Sequence, residues 1–245
     1  MSALAVMLVA MGIADGCRGF RAGWVSLVVG PVVVVVVASL SALWHFGDIA
    51  LLMVAAAATE AWRILCQRAD RTGEQVIAPL VVFFGAGSVL IVLSGWGSAV
   101  HGVVARWASW TDVPLGAVSP TQLLMATGVV LLQLVTGNQL VRLVLGSVGA
   151  VRPAGEPQPS DRLKGGRLLG PMERLLILGL GLGGQLAAAS AVVAAKSIIR
   201  FPEINAQKAR ENGTIGIDDV TEYFLVGSFA SWIVALGGLV LVLAQ

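Results

Sequence analysis

The chain has 245 residues and a formal net charge of +2; 57% of its residues are hydrophobic and only 12% are charged. Soluble domains carry roughly 25% charged residues, whereas several apolar runs here reach the roughly 20 residues that cross a bilayer. The composition excludes an ordinary soluble domain and predicts an all-α, polytopic transmembrane helix bundle. The small net charge indicates no nucleic-acid partner.

The two cysteines, Cys17 and Cys66, show neither the spacing of a metal site nor that of a disulfide framework. The sequence therefore predicts no metal, no cofactor and no disulfide.

The N-terminal part contains four apolar runs, at 3–14, 24–46, 49–65 and 76–94. The first run is short for a membrane span, so it either crosses the bilayer or enters it only partway, and the predicted total is seven spans or six. In the third run, Glu60 precedes Arg63 by about one helical turn, a spacing that predicts a local ion pair.

Residues 95–110 follow a different pattern. One helical stripe carries mostly large apolar side chains, and the opposite face is more polar. The residues on that stripe are Trp96, Val100, Val103, Trp107 and Trp110. Three tryptophans on one stripe predict an amphipathic helix lying in the membrane interface. The alternative is a continuation of the fourth span that packs on the bundle.

The fifth span has a clear helix start. Ser119 is the predicted N-cap, Pro120 suits the first helical position, and Gln122 completes a capping box. The span continues to about residue 140 and contains Gln133, for which an interhelical hydrogen bond is expected.

The sixth predicted span covers residues 175–195, which carry no charge. Glu173 and Arg174 form a pair at its inner edge, where snorkelling toward the interface is the favoured interpretation of Arg174. Gln185, near mid-bilayer, is interpreted as an interhelical hydrogen-bond donor. Small residues at every fourth position would let a second helix approach closely: Gly179, Gly183, Ala187, Ala191 and Ala195.

The seventh span carries a second seam of small residues, Gly227, Ser231 and Ala235. The sixth and seventh spans are therefore predicted to form an antiparallel pair. A polar network is expected where they meet at the outer membrane edge, made of Lys196, Arg200, Glu203, Glu222 and Tyr223. A structural role, in which these charged side chains neutralise one another, is favoured over the binding of an anionic headgroup. Within this network Lys196 is predicted to pair with Glu222.

The predicted organisation has three parts. Residues 1–151 form an N-terminal membrane bundle that includes the interfacial helix at 95–110. Residues 152–166, rich in proline, glycine, serine and charge, form a cytoplasmic linker. Residues 167–245 form the C-terminal transmembrane pair.

The basic residues predict the orientation. Eleven of the sixteen fall in one set of loops: Arg18, Arg21, Arg63, Arg68, Arg71, Arg142, Arg152, Arg162, Lys164, Arg167 and Arg174. The remaining five are Arg106, Lys196, Arg200, Lys208 and Arg210. The positive-inside rule makes the first set cytoplasmic, and with a single crossing at 175–195 the C-terminus is cytoplasmic as well.

The C-terminal part resembles an uncharacterised bacterial family of multi-span inner-membrane proteins, a domain of unknown function. The matching elements are Gly166-Arg167, Gly170-Pro171, Glu173 to Ile177, Gln185, Ala194 to Ile198, Arg200-Phe201, Glu203, Glu222-Tyr223 and Val226 to Ser228, with Asn138 to Arg142 as a further element. The first 110 residues resemble the family only loosely. Its members usually carry a histidine-rich, aspartate-containing first segment, which here contains Asp15 and no histidine. The resemblance implies an all-helical plasma (inner) membrane protein and supplies no activity.

The function is predicted by elimination. The chain has no H-E-x-x-H and no G-x-S-x-G motif, and no catalytic residues stand out. A non-catalytic membrane component, such as a subunit, assembly factor or binding protein, is favoured, with the lipid bilayer and another membrane protein or a second copy as partners. A channel or passive transport component is the second hypothesis, and an enzyme acting on a lipid headgroup is the third.

Overall fold

The computed structural model describes residues 1–17, 23–110, 118–150, 166–195, 198 and 217–245, and every regular element within these ranges is helical. The all-helical prediction is confirmed. The helices are α1 (Ser2–Gly16), α2 (Gly23–Leu40), α3 (Phe46–Thr72), α4 (Ile77–Val92), α5 (Gly102–Trp110), α6 (Pro120–Leu131), α7 (Gly137–Ser147), α8 (Gly166–Leu182), α9 (Leu186–Ala195) and α10 (Ile217–Leu243). One π-helical turn, Leu132–Thr136, joins α6 to α7.

Three helical stretches are long and apolar enough to cross a membrane: Phe46–Thr72, Pro120–Ser147 and Thr221–Leu243. The first and fourth helices and α9 are apolar but shorter, as is the stretch Val28–Leu40 of α2. Helix length and composition in the described part of the chain therefore do not support the predicted count of seven or six spans.

The short N-terminal helix α1 is the centre of the bundle. Its side chains are buried from Ser2 to Met11, and it packs against α2, α3 and α6. A helix that is apolar all round belongs in an interior. Two glycines allow its close approach to α6: a Cβ added at Gly12 would lie 2.6 Å from Leu131 Cβ, and one at Gly128 would lie 3.0 Å from Ala5 O.

One end of the bundle, the Asp48 end, is held by partly buried polar contacts. Asp48 Oδ1 accepts a 2.7 Å hydrogen bond from Ser98 N, and Ser2 Oγ donates to Ser98 O at 2.7 Å. The neighbouring Val100 N donates to Thr121 Oγ1 at 3.1 Å. The starts of α1, α3 and α6 therefore meet at this end.

The opposite end, the Asp70 end, is held in the same way. Trp62 Nε1 donates to Asp15 Oδ2 at 3.1 Å, and Gln139 Nε2 donates to Asp70 Oδ1 at 3.2 Å. Three of the helical segments, α1, α3 and α6–α7, thus run in the same direction, from the Asp48 end to the Asp70 end.

Two local sequence predictions are confirmed. Ser119 Oγ accepts a 3.0 Å hydrogen bond from Gln122 N and caps α6, and Arg63 Nη2 pairs with Glu60 Oε2 at 2.9 Å. The capping box itself is not formed, because the Gln122 side chain donates to Val242 O of α10 at 3.3 Å instead.

The stripe predicted at 95–110 is not one helix. A short 3-10 turn, Ser94–Trp96, is followed by non-helical residues, and α5 begins only at Gly102. The chain is anchored here because His101 N donates to Ser41 O at 3.0 Å, and Gly102 has a φ of +68°. Val100 is consequently buried, while Trp96, Trp107 and Trp110 are exposed.

The segment predicted as one continuous span at 175–195 is interrupted. Gly184 has a φ of +73°, and Gln185 N donates to Leu180 O at 2.8 Å, which is a glycine-dependent helix end. Ile177 of α8 and Ala189 of α9 belong to one buried cluster with Ala235 of α10. A straight helix would separate Ile177 from Ala189 by about 18 Å, so α9 turns back along α8.

The relation between α8 and α10 also differs from the prediction. Along α8, Glu173 meets Trp232, Arg174 meets Ser231, and Gly181 packs against Leu239. Residue numbers rise together in both helices, so α8 and α10 are parallel rather than antiparallel. The predicted linker at 152–166 lies almost wholly outside the described residues.

The glycine contact between α1 and α6 gives a test of the core. Gly12→Ala is expected to lower the free energy of unfolding by about 1–3 kcal/mol, because the added methyl group overpacks a rigid backbone contact. Gly16→Ala is the matched control on α1, since a Cβ there meets nothing within 4 Å. This change should leave the free energy of unfolding unchanged or raise it by at most about 1 kcal/mol. Thermal melting of both variants in mild detergent is the measurement, and equal melting would contradict the contact.

Candidate functional site

The candidate site is built around the π-helical turn between α6 and α7. The backbone N–H of Gly137, which would donate to Gln133 O in a regular α-helix, donates to Leu132 O instead. The Gln133 carbonyl is therefore released from its usual donor. Single π-helical turns of this kind occur frequently at functional sites.

The released carbonyl is bound by Arg174 of α8. Arg174 Nε and Nη2 donate to Gln133 O at 3.1 and 2.8 Å. Nη2 also donates to Asn138 Oδ1 at 2.7 Å, and Nη1 donates to Ser231 Oγ at 3.2 Å. All three acceptors are neutral, and Arg174 is only 1% exposed.

This guanidinium lies deep in the bundle. Gln133 is near the middle of the apolar stretch Pro120–Ser147, and Ser231 is near the middle of Thr221–Leu243. The interpretation of Arg174 as a snorkelling interfacial charge is therefore wrong. Its hydrogen bonds join α6–α7, α8 and α10.

Two glycines shape the space for these polar groups. A Cβ at Gly137 would lie 3.0 Å from Arg174 Nε, and a Cβ at Gly238 would lie 2.5 Å from Gln133 Nε2. The Gln133 amide fits beside Gly238 and donates from Nε2 to Val234 O at 3.0 Å, which is an interhelical hydrogen bond to α10.

Glu173 precedes Arg174 in the chain but binds a different residue of α10. It is buried, and its Oε1 accepts a 2.8 Å hydrogen bond from Trp232 Nε1. The two residues predicted as an inner-edge pair are both inside the bundle, and each holds α8 to a different residue of α10.

The polar core also contains two atoms with no hydrogen-bond partner in the described part of the chain, Gln133 Oε1 and Thr136 Oγ1. A nucleophile with an adjacent base is not part of this arrangement. Within the described ranges, no group of three or more His, Cys, Asp or Glu residues is placed to hold a metal ion. The chemistry available at the core is hydrogen bonding by a fixed cation.

The predicted outer polar network is described only in part. Lys196, Arg200 and Glu203 lie outside the described residues, so the Lys196–Glu222 pair stays a prediction. Glu222 is exposed and Tyr223 is half-buried at the start of α10.

The start of α10 lies at the Asp70 end, because Gly227 packs beside Leu145 of α7. The distribution of basic residues in the sequence predicts Glu222 and Arg142 on opposite sides of the membrane. In the structure both belong to the same end of the bundle.

The two predicted seams of small residues behave differently. On α8 and α9 the members are exposed, namely Gly179, Gly183, Ala187, Ala191 and Ala195, and a Cβ at Gly179 would meet nothing within 4 Å. The break at Gly183 and Gly184 removes the single helical face on which that seam depended. The Gln185 side chain is also exposed, and its predicted interhelical contact is not formed among the described residues.

The seam on α10 lies in the interior. Ser231 and Ala235 are buried against α8, and Gly227 is in ordinary contact with α7. Sequence reasoning missed the role of Ser231 and Asn138 as acceptors for Arg174. The only available signal was the four-residue spacing of small residues, which does not distinguish a hydrogen-bond acceptor from a packing position.

No protein-family model matches the chain, no curated protein is significantly similar to it, and no solved structure matches it.

The acceptor role of Ser231 can be tested. Ser231→Ala is expected to cost about 1.5–3 kcal/mol of unfolding free energy, because a buried guanidinium loses an acceptor. The control is Ser228→Ala on the same helix, which is equally buried and does not accept from Arg174; its cost should stay below about 1 kcal/mol.

A double-mutant cycle separates this effect from simple packing. If the hydroxyl acts through the guanidinium, Ser231→Ala should cost much less in an Arg174→Met background than alone. Additive costs in denaturant or thermal unfolding would show that Ser231 is only a packing residue.

Proposed function

We propose that this chain is a multi-pass plasma-membrane protein that acts as a non-catalytic membrane component, most simply a subunit or binding protein. Large apolar side chains exposed around the bundle support the membrane assignment, since soluble monomers rarely expose extensive apolar patches. They include Val28, Val32, Val35 and Val36 of α2, Val81, Phe84 and Val92 of α4, and Leu225, Phe229, Ile233, Leu236 and Val240 of α10.

Exposed aromatic residues at the Asp48 end support a position of this end at the membrane–water interface. The exposed fractions of these side chains are all about half or more, and they lie on the α2–α3 connection, the first residue of α3, the 3-10 turn and α5: Trp44, Phe46, Trp96, Trp107 and Trp110. Tryptophans at such positions favour the membrane–water interface. The proposal therefore retains α5 as an interfacial helix, although it is shorter than the sequence pattern predicts.

The orientation follows from the basic residues. The arginines of the Asp70 end, among them Arg68, Arg71 and Arg142, face the cytoplasm in this proposal. The aromatic Asp48 end then faces outward. Seven or six crossings were expected from the sequence, and the folding back of α9 favours a different count.

The main support for a subunit role is the surface that α8 and α9 leave exposed. Small residues predominate among the exposed residues of α9, with Ala187, Ala191 and Ala195 exposed. Gly179 is exposed on α8, which also exposes large apolar side chains such as Met172 and Leu176. Helices associate in lipid where small side chains let backbones approach closely. A further transmembrane helix, from another membrane protein or from a second copy, is the partner that this surface fits.

The second candidate is a channel or passive transport component. The unpartnered Gln133 Oε1 and Thr136 Oγ1 favour it, because polar atoms near the middle of an apolar stretch can line a path. A lipid-headgroup enzyme ranks third, since part of its candidate cluster lies outside the described residues.

If α8 and α9 form the partner surface, a large side chain introduced there should weaken association with the partner without lowering the stability of the bundle. Gly179→Leu should leave the melting temperature unchanged, because the added side chain meets open space. It should also reduce recovery of the partner, or of the oligomer, after chemical cross-linking in membranes and purification in mild detergent.

The matched control is Gly85→Leu on α4, which is equally exposed and equally open. Its cross-linked fraction should match that of the unaltered chain. Equal recovery for both variants would remove α8–α9 as the partner surface.

A further inference from the structure

We infer that α8 and α9 form a hairpin that crosses the membrane and returns, so that both chain termini lie outside and the connection from α9 to α10 is cytoplasmic. This inference rests on the membrane orientation given under Proposed function. It replaces the expectation that residues 175–195 cross once and leave the C-terminus in the cytoplasm.

The first step is the direction of α10. Its start lies beside the end of α7, where Gly227 contacts Leu145. Its end lies beside the start of α6, where Val242 O accepts from Gln122 Nε2 at 3.3 Å. Helix α10 is therefore antiparallel to α6–α7 and runs from the Asp70 end to the Asp48 end.

The second step is the direction of α8. Its contacts with α10 advance in register, from Arg174 with Ser231 to Gly181 with Leu239. Both helices thus begin at the Asp70 end. Since each starts on the same side, the chain must return between Leu182 and Ile217, which a single crossing at 175–195 cannot accomplish.

The third step is that helix α9 begins this return, and its residues Leu186–Ala195 extend about 15 Å. The turn at Gly183 and Gly184 reverses the chain, and Ala189 of α9 packs in the same cluster as Ile177 of α8 and Ala235 of α10. Val193, further along α9, packs on that cluster together with Trp232, which binds Glu173 early in α8. The two α9 residues in this cluster, Ala189 and Val193, therefore lie alongside α8 and α10 rather than beyond the end of α8.

The basic residues support the hairpin independently of these contacts. A single crossing leaves five basic residues outside: Arg106, Lys196, Arg200, Lys208 and Arg210. A hairpin returns the last four of these to the cytoplasmic side. Because Arg174 is buried inside the bundle and belongs to neither side, the division of the other fifteen basic residues changes from ten and five to fourteen and one. The positive-inside rule favours the second division.

The positions of the termini complete the argument. Ser2 lies at the Asp48 end through its hydrogen bond to Ser98 O, and Val242 lies at the same end through Gln122. Two ends of a chain on one side require an even number of crossings. An even number is obtained when α8 and α9 each count as one.

Accessibility of single cysteines tests the inference. Cys17→Ser and Cys66→Ala give a cysteine-free chain, into which Lys164→Cys, Lys208→Cys or Gln245→Cys is introduced. A membrane-impermeant maleimide is applied to intact cells and, separately, to permeabilised cells. Variants at 164 and 208 should react only after permeabilisation, whereas the variant at 245 should react in intact cells.

The pattern distinguishes the hairpin from the orientation on which it rests. Opposite behaviour of the variants at 164 and 208, or like behaviour of those at 208 and 245, overturns the hairpin. If 164 and 208 react in intact cells and 245 does not, the hairpin holds and the proposed orientation fails. A protease-cleavable tag after Gln245, removed from intact cells only if it is outside, checks the side of the C-terminus without altering the native cysteines.

Discussion

The arrangement of the C-terminal half depends on one requirement, that the guanidinium of Arg174 find acceptors away from water. A buried cation without hydrogen-bond partners is costly. The π-helical turn between α6 and α7 provides a carbonyl that no longer serves its own helix, and Asn138 and Ser231 provide the rest. Because these acceptors come from two other helical segments, satisfying Arg174 fixes the depth of α8, its rotation and its direction relative to α10.

The N-terminal half depends on a different constraint, the close approach of α1 to its neighbours. Gly12 and Gly128 allow backbone contact with α6, while Asp48 and Asp15 join the two ends of α1 to α3 and its flanking turns through Ser98 and Trp62. A helix of this length is short for a bilayer crossing. Burial on all sides explains how it still runs between both ends of the bundle, since its termini contact protein rather than lipid.

Particular residues show what the sequence could and could not predict. The helical class, the Ser119 cap and the Glu60–Arg63 pair follow from composition and from spacing within one helix. The turn at Gly184 was missed because glycines are common within membrane helices and the surrounding run is uncharged. The partners of Arg174 were missed because they lie on other segments. Nothing in the sequence of Leu132–Thr136 marks a π-helical turn.

The direction of α8 changes what the polar residues near the start of α10 can do. If this end is cytoplasmic, Glu222 and Tyr223 share a side with Arg142 and Asp70 rather than facing an external ligand. Basic segments on that side are attracted to the anionic lipids of the inner leaflet. Arg174, by contrast, holds helices together with hydrogen bonds to neutral acceptors. In the proposed subunit, recognition of a partner therefore falls to the exposed surfaces, while the buried cation serves only the bundle.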